Sequence, residues 1–399
     1  MDILQWWNQK EKILSVLMEQ NQIPTTSDPS VALIVGVTGM AGLALAESLH
    51  NHHHNWKIHG AARRPPPSWF PSSLLHSFIT FDALSSTETL TKLSPISREI
   101  THVFWVAFQL QETEETNISR NSTMLRNVLD ALTKASPSRL RHVTLQTGTK
   151  HYMGPIFDPS LAGILVRHEP PFVEDSPRLP YPNFYYTLED LVASYSPAFT
   201  FSVHRSSIIV GASSRSLHNS LLTLAVYAAI CKHQSLPFRY PGKKCTRYTW
   251  EHFCDMSDAR VLARQHIWAA IECDKAKNQA FNCTNGDVFT WKSLWKVLCQ
   301  VFEVEFVEFD DEIAKGFDAV EMMKEKGQVW DEIVKKHGLL KTKLEEITCF
   351  DALKIVLSFD FQHVCSMNKS REFGFHGFVD TFKSIRMWVG RLRDMKIIP

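Results

Sequence analysis

Apolar, β-branched runs alternate with amphipathic helical segments along the first half of the chain. The runs have the length and composition of buried strands, and the segments between them repeat apolar residues at helical spacing. The predicted strands are 31–37, 57–62, 78–82, 101–107, 140–147 and 199–210, and the helices between them include 41–49, 87–93 and 116–135. Such alternation predicts an α/β fold with a Rossmann-type, doubly wound parallel sheet.

After about residue 215 helical spacing dominates. The helical segments are 218–233, 257–272, 290–302 and 318–337, and short strands are expected near 236–240, 280–282 and 305–309. We therefore predict an N-terminal helix and linker in 1–30, a Rossmann domain in 31–215, and a smaller, mainly helical lobe in 216–399. Some segments of the last region are expected to return to the Rossmann core. The lobe would lie over the carboxyl ends of the strands, where such sheets bind ligands.

The first predicted strand runs into a turn with a glycine at every third position, namely Gly36, Gly39 and Gly42. Glycine suits this place because a Cβ would block a dinucleotide pyrophosphate and because tight turns use positive φ. The N-terminus of the following helix offers free N–H groups and a partial positive charge to the phosphates. The turn predicts a dinucleotide site, and its spacing is typical of extended short-chain dehydrogenases.

The second predicted strand ends at Arg63 and Arg64, with no acidic residue beside them. NAD-preferring sites usually have Asp or Glu at this place to bind the ribose 2′-hydroxyl. Guanidinium groups instead suit a 2′-phosphate, which they bind bidentately without titrating. The two arginines therefore predict NADPH or NADP+ as the cofactor. The domain 31–215 is then expected to bind NADP, and the lobe 216–399 is expected to bind the substrate.

Composition narrows the class of protein further. The chain has 399 residues, 44% of them hydrophobic and 21% charged, and a net charge of +1, so its field indicates no nucleic-acid or anionic-membrane partner. The longest uncharged apolar run, 221–231, is too short to span a bilayer. Eight scattered cysteines without a Cys-x-x-Cys pair predict a reducing, cytoplasmic location. The histidines within 50–55 are interpreted as a surface loop, and no metal is expected.

The catalytic residues do not follow the usual spacing. Short-chain dehydrogenases usually place tyrosine and lysine four residues apart on one helix, whereas here Glu189 follows Tyr185 at that distance. A carboxylate cannot supply the positive charge. A lysine, Lys150, stands instead after the predicted strand 140–147, at an end that should face the nicotinamide.

Several longer motifs resemble the plant progesterone 5β-reductase/iridoid synthase family, in order between residue 31 and residue 399. The motifs are Gln146-Thr147-Gly148-x-Lys150-His151-Tyr152, Asn183-Phe184-Tyr185-Tyr186-x-x-Glu189-Asp190, Ser202-Val203-His204-Arg205, Val226-Tyr227-Ala228-Ala229-Ile230-Cys231-Lys232-His233, Asn285-Gly286-Asp287-Val288-Phe289, Val329-Trp330-Asp331-Glu332-Ile333-Val334 and Ser366-Met367-Asn368-Lys369-Ser370. The resemblance implies an extended short-chain dehydrogenase that uses NADPH for 1,4-reduction of the C=C bond of an activated enone or enal.

The resemblance also implies residue roles. Lys150 and Tyr185 are expected to be the catalytic pair, with Tyr185 holding the substrate oxygen as negative charge develops on it and Tyr186 as a packing residue. Around the cofactor the resemblance places Thr38, Gly39 and Met40 at the pyrophosphate, Asp82 beside the adenine, Ala107 and Phe108 near the riboses, Ser206 near the nicotinamide amide, and Thr147 among the other cofactor-binding residues.

The predicted substrate pocket departs from the family pattern. Its residues are expected to be Tyr152, Met153, Ile156, Phe157 and Ala352. Ile156 stands where the family has phenylalanine, Ala352 also replaces a phenylalanine, and Ser206 replaces a proline. We therefore expect a reshaped pocket with one aromatic wall lost, which leaves open a steroid-like enone, a monoterpene dialdehyde or a small enone as substrate.

Two alternative functions stay open from the sequence. One is NADPH-dependent 1,2-reduction of a carbonyl, in which the same tyrosine would donate its proton to an alkoxide. The other is a non-catalytic NADP-binding regulatory protein. A homodimer is possible through the apolar segments 218–230 or 257–270, although core packing would explain these segments equally well.

Overall fold

The structure, a computed structural model, describes residues 30–156, 164–242 and 245–399. The helix and linker predicted for residues 1–30 lie outside the described residues except for Ser30, and so does the predicted pocket residue Phe157.

A seven-stranded sheet, parallel in every pair, forms the centre of the fold, in the order β10-β6-β5-β4-β1-β2-β3. Side chains of one strand enter two separate cores: Ile34 packs with the first helix, whereas Leu33 and Val35 pack on the opposite face. Helices therefore cover both faces, and the predicted doubly wound α/β fold is confirmed. The strands are β1 Val31–Val35, β2 Lys57–Ala62, β3 Ser77–Thr80, β4 His102–Trp105, β5 His142–Gly148, β6 Thr200–Ser206, β7 Ile208–Val210, β8 Phe253–Cys254, β9 Met256–Asp258, β10 Gln279–Cys283 and β11 Phe289–Thr290.

Helices connect the strands and dominate the second half of the chain. The helices are α1 Met40–His50, α2 Ser86–Leu93, α3 Glu114–Thr133, α4 Lys150–Met153, α5 Phe184–Ala193, α6 Ser220–His233, α7 Arg247–Glu251, α8 Ala259–Ile267, α9 Trp291–Phe302, α10 Asp311–Gly316, α11 Ala319–Lys324, α12 Gly327–His337, α13 Leu344–Ile347, α14 Phe350–Leu357, α15 Asn368–Glu372 and α16 Thr381–Asp394. Among these helices, none combines the length and the apolar character that crossing a bilayer would require. Most side chains of α6 and α8 are buried within this one chain, so core packing accounts for the apolar segments considered for a dimer.

Three predicted elements are wrong. Segments 236–240 and 305–309 are irregular, and 318–337 forms two helices, α11 and α12, instead of one. In 236–240 the alternating burial that resembles a strand comes from Phe238 and Tyr240, which pack on Trp295 of α9. The alternation in the sequence thus reflects packing against α9. A strand is also disfavoured here, because Pro237 has no N–H to donate to a strand ladder.

The long strand predicted for 199–210 is interrupted at Ser207. Its first part, β6, stays in the central sheet, whereas β7 leaves it to pair with β9. The Ser207 N–H donates to Ser257 Oγ at 2.8 Å, and the Ser207 hydroxyl donates to the Asp255 carboxylate at 2.5 Å. Asp255 is 1% exposed, and this burial raises its pKa to about 7.

Asp255 should make stability depend on pH in one direction. Because its pKa is raised by folding, the folded protein holds a proton that the unfolded chain releases, so this contribution to stability is lost as pH rises towards 7. The free energy of unfolding of Asp255→Asn minus that of wild type should therefore rise by up to about 1.4 kcal/mol per pH unit between pH 4 and 7. Urea denaturation of both proteins at pH 5 and pH 8 measures the difference, and an equal difference at both pH values would contradict the assignment.

Candidate active site

The glycine turn between β1 and α1 is shaped by the protein's own backbone. Gly36 has φ of +96°, and a Cβ there would lie 2.9 Å from the Ala107 nitrogen. A Cβ on Gly42 would lie 2.2 Å from the Gly36 oxygen, so this glycine lets α1 pack closely on the turn. Gly39 is different, since its Cβ would meet no atom closer than 3.3 Å. Gly39 is therefore the least crowded of the three, with the Gly36 oxygen and Ser216 Oγ as the atoms nearest to such a Cβ at 3.3 and 3.4 Å.

A segment after β7 lies across this turn, and the sequence analysis missed it. The Ser213 hydroxyl donates to the Thr38 carbonyl at 2.7 Å, and the Met40 N–H donates to Ser216 Oγ at 3.2 Å. A Cβ on Gly211 would lie 2.9 Å from the Met40 Cβ. The signal in the sequence was the run of small residues in 211–214, and its separation of about 175 positions from the turn gives no hint of contact.

Three arginines gather near the end of β2. Arg63 and Arg64 are exposed, and Arg215 from the segment after β7 joins them. Burial and the charges of Arg215 and Arg63 lower the pKa of the Arg64 guanidinium, whereas Glu346 opposes this shift. Within the described residues, no carboxylate lies within ion-pair distance of these three side chains. The cluster therefore has the charge of an anion-binding site.

The other predicted cofactor residues lie at the carboxyl ends of neighbouring strands. Asp82 follows β3 and accepts the Leu84 N–H at 3.0 Å, which shapes the turn there. Ala107 follows β4 and abuts Gly36, and the Phe108 side chain is 45% exposed with its ring 6.1 Å from that of His218. Strand order thus brings these residues to one edge of the sheet, beside the glycine turn.

Thr147 lies near the carboxyl end of β5, and Ser206 lies at the carboxyl end of the neighbouring strand β6. The Ser206 hydroxyl donates to the Thr147 carbonyl at 3.0 Å. The Thr147 hydroxyl is buried without a hydrogen-bond partner. An orphaned hydroxyl at the carboxyl end of a central strand fits a site that a polar ligand completes.

Lys150 begins α4 directly beyond β5. Its side chain is buried, its Nζ pairs with the Glu114 carboxylate, and it lies 4.8 Å from the centre of the Phe184 ring. Burial lowers the pKa of the Lys150 ammonium, and the hydrogen bond and charge of Glu114 oppose that shift. Glu114, in the first turn of α3, was not recognised from the sequence.

Tyr185 lies in the first turn of α5, where Asn183 holds it next to the lysine. The Asn183 side-chain oxygen caps the helix by accepting the Tyr185 N–H at 3.0 Å, and its amide donates to the Lys150 carbonyl at 3.1 Å. Burial and the negative charge of Glu114 raise the pKa of Tyr185 above its usual range. The hydroxyl therefore stays protonated at neutral pH and can act as a hydrogen-bond donor.

Gly148 leaves room for the Tyr185 hydroxyl. A Cβ on Gly148 would lie 3.2 Å from both the Tyr185 hydroxyl oxygen and the Ser206 carbonyl oxygen. Gly148→Ala should displace the hydroxyl by a few tenths of an ångström. With the catalytic role that the resemblance implies for Tyr185, kcat should fall on the order of 10–100-fold, because catalytic groups tolerate little misplacement. Steady-state kinetics measure the loss. Gly390→Ala is the matched control, since its Cβ would meet nothing within 4 Å, and equal kinetics for both variants would contradict this prediction.

Glu189, where a lysine would be expected, belongs to a buried ion cluster. Its two carboxylate oxygens accept hydrogen bonds from the Arg205 guanidinium at 3.1 and 3.0 Å, and one lies 3.4 Å from His151 Nδ1. Burial raises its pKa, but His151 and Arg205 outweigh this effect and hold the pKa at about 2. The glutamate thus serves the packing of α5 on β6 and has no part in polarising Tyr185.

Tyr186 is buried, which fits the packing role expected for it. Its hydroxyl donates to the His151 carbonyl at 2.6 Å and accepts the Leu179 N–H at 3.1 Å. Tyr185 and Tyr186 are therefore a neighbouring pair with different environments.

The predicted pocket residues meet aromatic side chains that the sequence analysis overlooked. Tyr152 and Met153 form a buried cluster with Phe172, Phe359 and Phe361, and Ile156 packs against it. The Tyr152 hydroxyl donates to Asn282 Oδ1 at 2.6 Å and is fully buried.

Ala352 lies on α14, one turn before Ile355 and Val356, which pack against this cluster. Phe359 and Phe361, directly after the helix, supply aromatic rings to the cluster that Ala352 does not. The roles of these residues in binding substrate stay predictions.

The histidine loop after α1 contacts an acidic residue that is distant in sequence. The ligand atoms of His52, His53 and His54 lie within 4.8 Å of one another, and His52 Nε2 lies 3.3 Å from a Glu272 oxygen. The rings of His52 and His53 stack, with their centroids 4.1 Å apart. The expectation of no metal here stays a prediction.

The sequence matches the PRISE-like Rossmann-fold domain over residues 81–399. The chain is 44% identical over 400 residues to an (S)-8-oxocitronellyl enol synthase of Camptotheca acuminata, with 99% of each chain covered. It is 43% identical over 400 residues to a 3-oxo-Δ(4,5)-steroid 5β-reductase of Arabidopsis thaliana, again with 99% of each chain covered. The family resemblance inferred from the motifs is confirmed.

Solved structures resemble the chain in fold. A GDP-L-fucose synthetase from Naegleria fowleri superposes with a TM-score of 0.62 at 11% identity, covering 94% of this chain and 95% of that one. A UDP-glucuronic acid 4-epimerase from Bacillus cereus, solved in complex with NAD, gives a TM-score of 0.59 at 13% identity and covers 92% and 99%. These likenesses show the extended Rossmann architecture alone.

Proposed function

This chain belongs to the PRISE-like Rossmann-fold family, and on that premise we propose that it is an NADPH-dependent reductase of the C=C bond of an activated enone or enal. The observation that supports this most directly is the neighbouring pair of Lys150 and Tyr185, held beside the carboxyl end of β5 by Asn183. The relatives named as an enol synthase and as a steroid 5β-reductase support the reaction class.

Three features fit NADPH. Gly39, the least crowded of the three turn glycines, directly precedes the N-terminus of α1, where N–H groups favour a pyrophosphate. Arg63, Arg64 and Arg215 suit a 2′-phosphate, and the Thr147 hydroxyl offers an unused hydrogen bond. When bound, the cofactor would supply the hydride that adds to the β-carbon of the substrate.

Tyr185 would act on the carbonyl oxygen of the substrate. Negative charge develops on that oxygen as the C=C bond is reduced to an enolate, and a fixed hydroxyl donor stabilises it there. The raised pKa of Tyr185 keeps the proton on the phenol, so the residue donates a hydrogen bond without carrying charge itself. The enolate then takes a proton from solvent at Cα, so that a hydride and a proton have been added across the C=C bond.

Lys150 would bring a positive charge to the element next to that oxygen, and the Glu114 carboxylate paired with it offsets part of this charge. Its ammonium is buried and therefore poorly screened by water, which strengthens its effect on a neighbouring negative charge. The apolar cluster of Met153, Phe359 and Phe361 beside α4 suits the hydrocarbon part of an enone or enal.

The test is NADPH oxidation by the purified protein with a small cyclic enone and with 8-oxogeranial, with products identified by mass spectrometry. A saturated ketone or aldehyde is the expected product. An allylic alcohol would replace the proposal by 1,2-reduction, and tight NADPH binding without turnover would favour the regulatory alternative.

A further inference from the structure

Glu114 connects the two catalytic elements through one carboxylate. Its Oε1 accepts the Phe184 N–H at 2.6 Å, and its Oε2 pairs with the Lys150 ammonium. The side chain is 13% exposed, so water screens the pair weakly. Phe184 is the first residue of α5, directly before Tyr185. The carboxylate therefore reaches the lysine from one oxygen and the tyrosine helix from the other.

We propose that Glu114 is a positioning residue for the reduction, which keeps Lys150 protonated and fixes it relative to the helix that presents Tyr185. The inference rests on the proposed function for its kinetic consequences, but its electrostatic part concerns Lys150 itself. It explains how this chain works without a lysine four residues after its tyrosine. The lysine comes from another element, and a third element, α3, holds it in place.

The first turn of α3 stabilises and orients the Glu114 carboxylate. It lies in the first turn of α3, where the helix dipole favours a negative charge, and Thr113 caps that helix. Asn117, one turn further along, donates to Glu114 Oε2 at 3.4 Å. Contacts within α3 thus help to orient the carboxylate that binds Lys150 and the first residue of α5.

Other charged groups near the pair are occupied elsewhere. His151, next to Lys150, faces Glu189 and Arg205. His363 binds the Thr149 hydroxyl at 2.9 Å, and burial lowers its pKa to about 3, so it is neutral near pH 7. Glu114 is the one charged side chain that acts on both Lys150 and Tyr185 among the described residues.

Glu114→Gln removes the charge while keeping an oxygen that can accept the Phe184 N–H. Without the carboxylate the buried ammonium is less favourable, so the pKa of Lys150 should fall by about one to three pH units. Loss of the same charge also lowers the pKa of Tyr185. Both effects should move the alkaline limb of the pH profile of kcat/KM to lower pH and reduce kcat on the order of 10-fold at pH 8.

Glu115→Gln is the matched control, because this exposed neighbour loses the same charge from the same helix. We expect it to keep the wild-type pH profile. An alkaline limb in Glu114→Gln that coincides with that of wild type would overturn the proposal. If the Gln variant does not fold, Glu114→Asp takes its place, and it should retain the wild-type limb with a lower kcat. A downward shift of the limb in that charged variant would also overturn the proposal.

A direct titration separates this inference from the proposed function. Protein labelled with 13C at lysine Cε is titrated by NMR, and the Lys150 signal is assigned by its loss in Lys150→Met. The Lys150 signal should titrate at lower pH in Glu114→Gln than in wild type, whether or not any enone is reduced. Identical titrations would reject the role of Glu114, whereas absent reductase activity with shifted titrations would reject only the proposed reaction.

Discussion

Replacing Tyr185 by phenylalanine is expected to lower kcat for enone reduction at least about 100-fold, because one fixed donor to a developing oxyanion contributes a factor of this size. NADPH affinity should change less than about threefold, since the phenyl ring keeps the packing of Tyr185 against the core that contains Phe184. Steady-state kinetics at saturating substrate measure kcat, and fluorescence titration measures the dissociation constant of NADPH.

Tyr186→Phe is the matched control for this experiment. It removes the same hydroxyl one residue further on, where the group bonds only to backbone atoms of His151 and Leu179. The control should lose about 1 kcal/mol of stability and keep most of its turnover. Comparable turnover in the two variants would remove Tyr185 from the mechanism.

The second large effect concerns the arginine cluster. Removing Arg63 and Arg64 together by alanine substitution should weaken NADPH binding on the order of 100-fold or more, because each charge-assisted hydrogen bond to a phosphate contributes about 1.5–3 kcal/mol. NADH binding should be nearly unchanged, since NADH has no 2′-phosphate. The ratio of the two dissociation constants, measured by fluorescence titration, isolates the contribution of the phosphate.

Arg215→Ala extends this test to the arginine that the sequence analysis missed, and it should weaken NADPH alone by about 10-fold. Arg98→Ala is the control, since this exposed arginine precedes β4 and therefore lies at the opposite edge of the sheet. Equal losses for NADPH and NADH in the arginine variants would show that the cluster does not discriminate a 2′-phosphate.

The glycine turn shows how far local sequence reaches. Its strand, its positive φ at Gly36 and its following helix are all predictable, because each depends on residues only a few positions apart. Even so, the reason for Gly42 differs from the expected one. A Cβ there would lie too close to the Gly36 carbonyl oxygen whether or not a ligand is bound, and this contact follows only from the tertiary structure.

The periodicity of the chain determined the doubly wound sheet and the position of Lys150 directly after a strand, because hydrophobic spacing reports which face of a strand or helix is buried. Tyr185 was singled out by the family resemblance, since the helix that carries it was not predicted from periodicity. The tertiary structure alone decided which distant groups meet there: Glu114 with Lys150, Glu189 with Arg205, and Arg215 with Arg64. These contacts join residues that lie 16 or more positions apart, and they depend on strand order and on helix packing. Charges interact through space, and their separation along the chain holds no information about that distance.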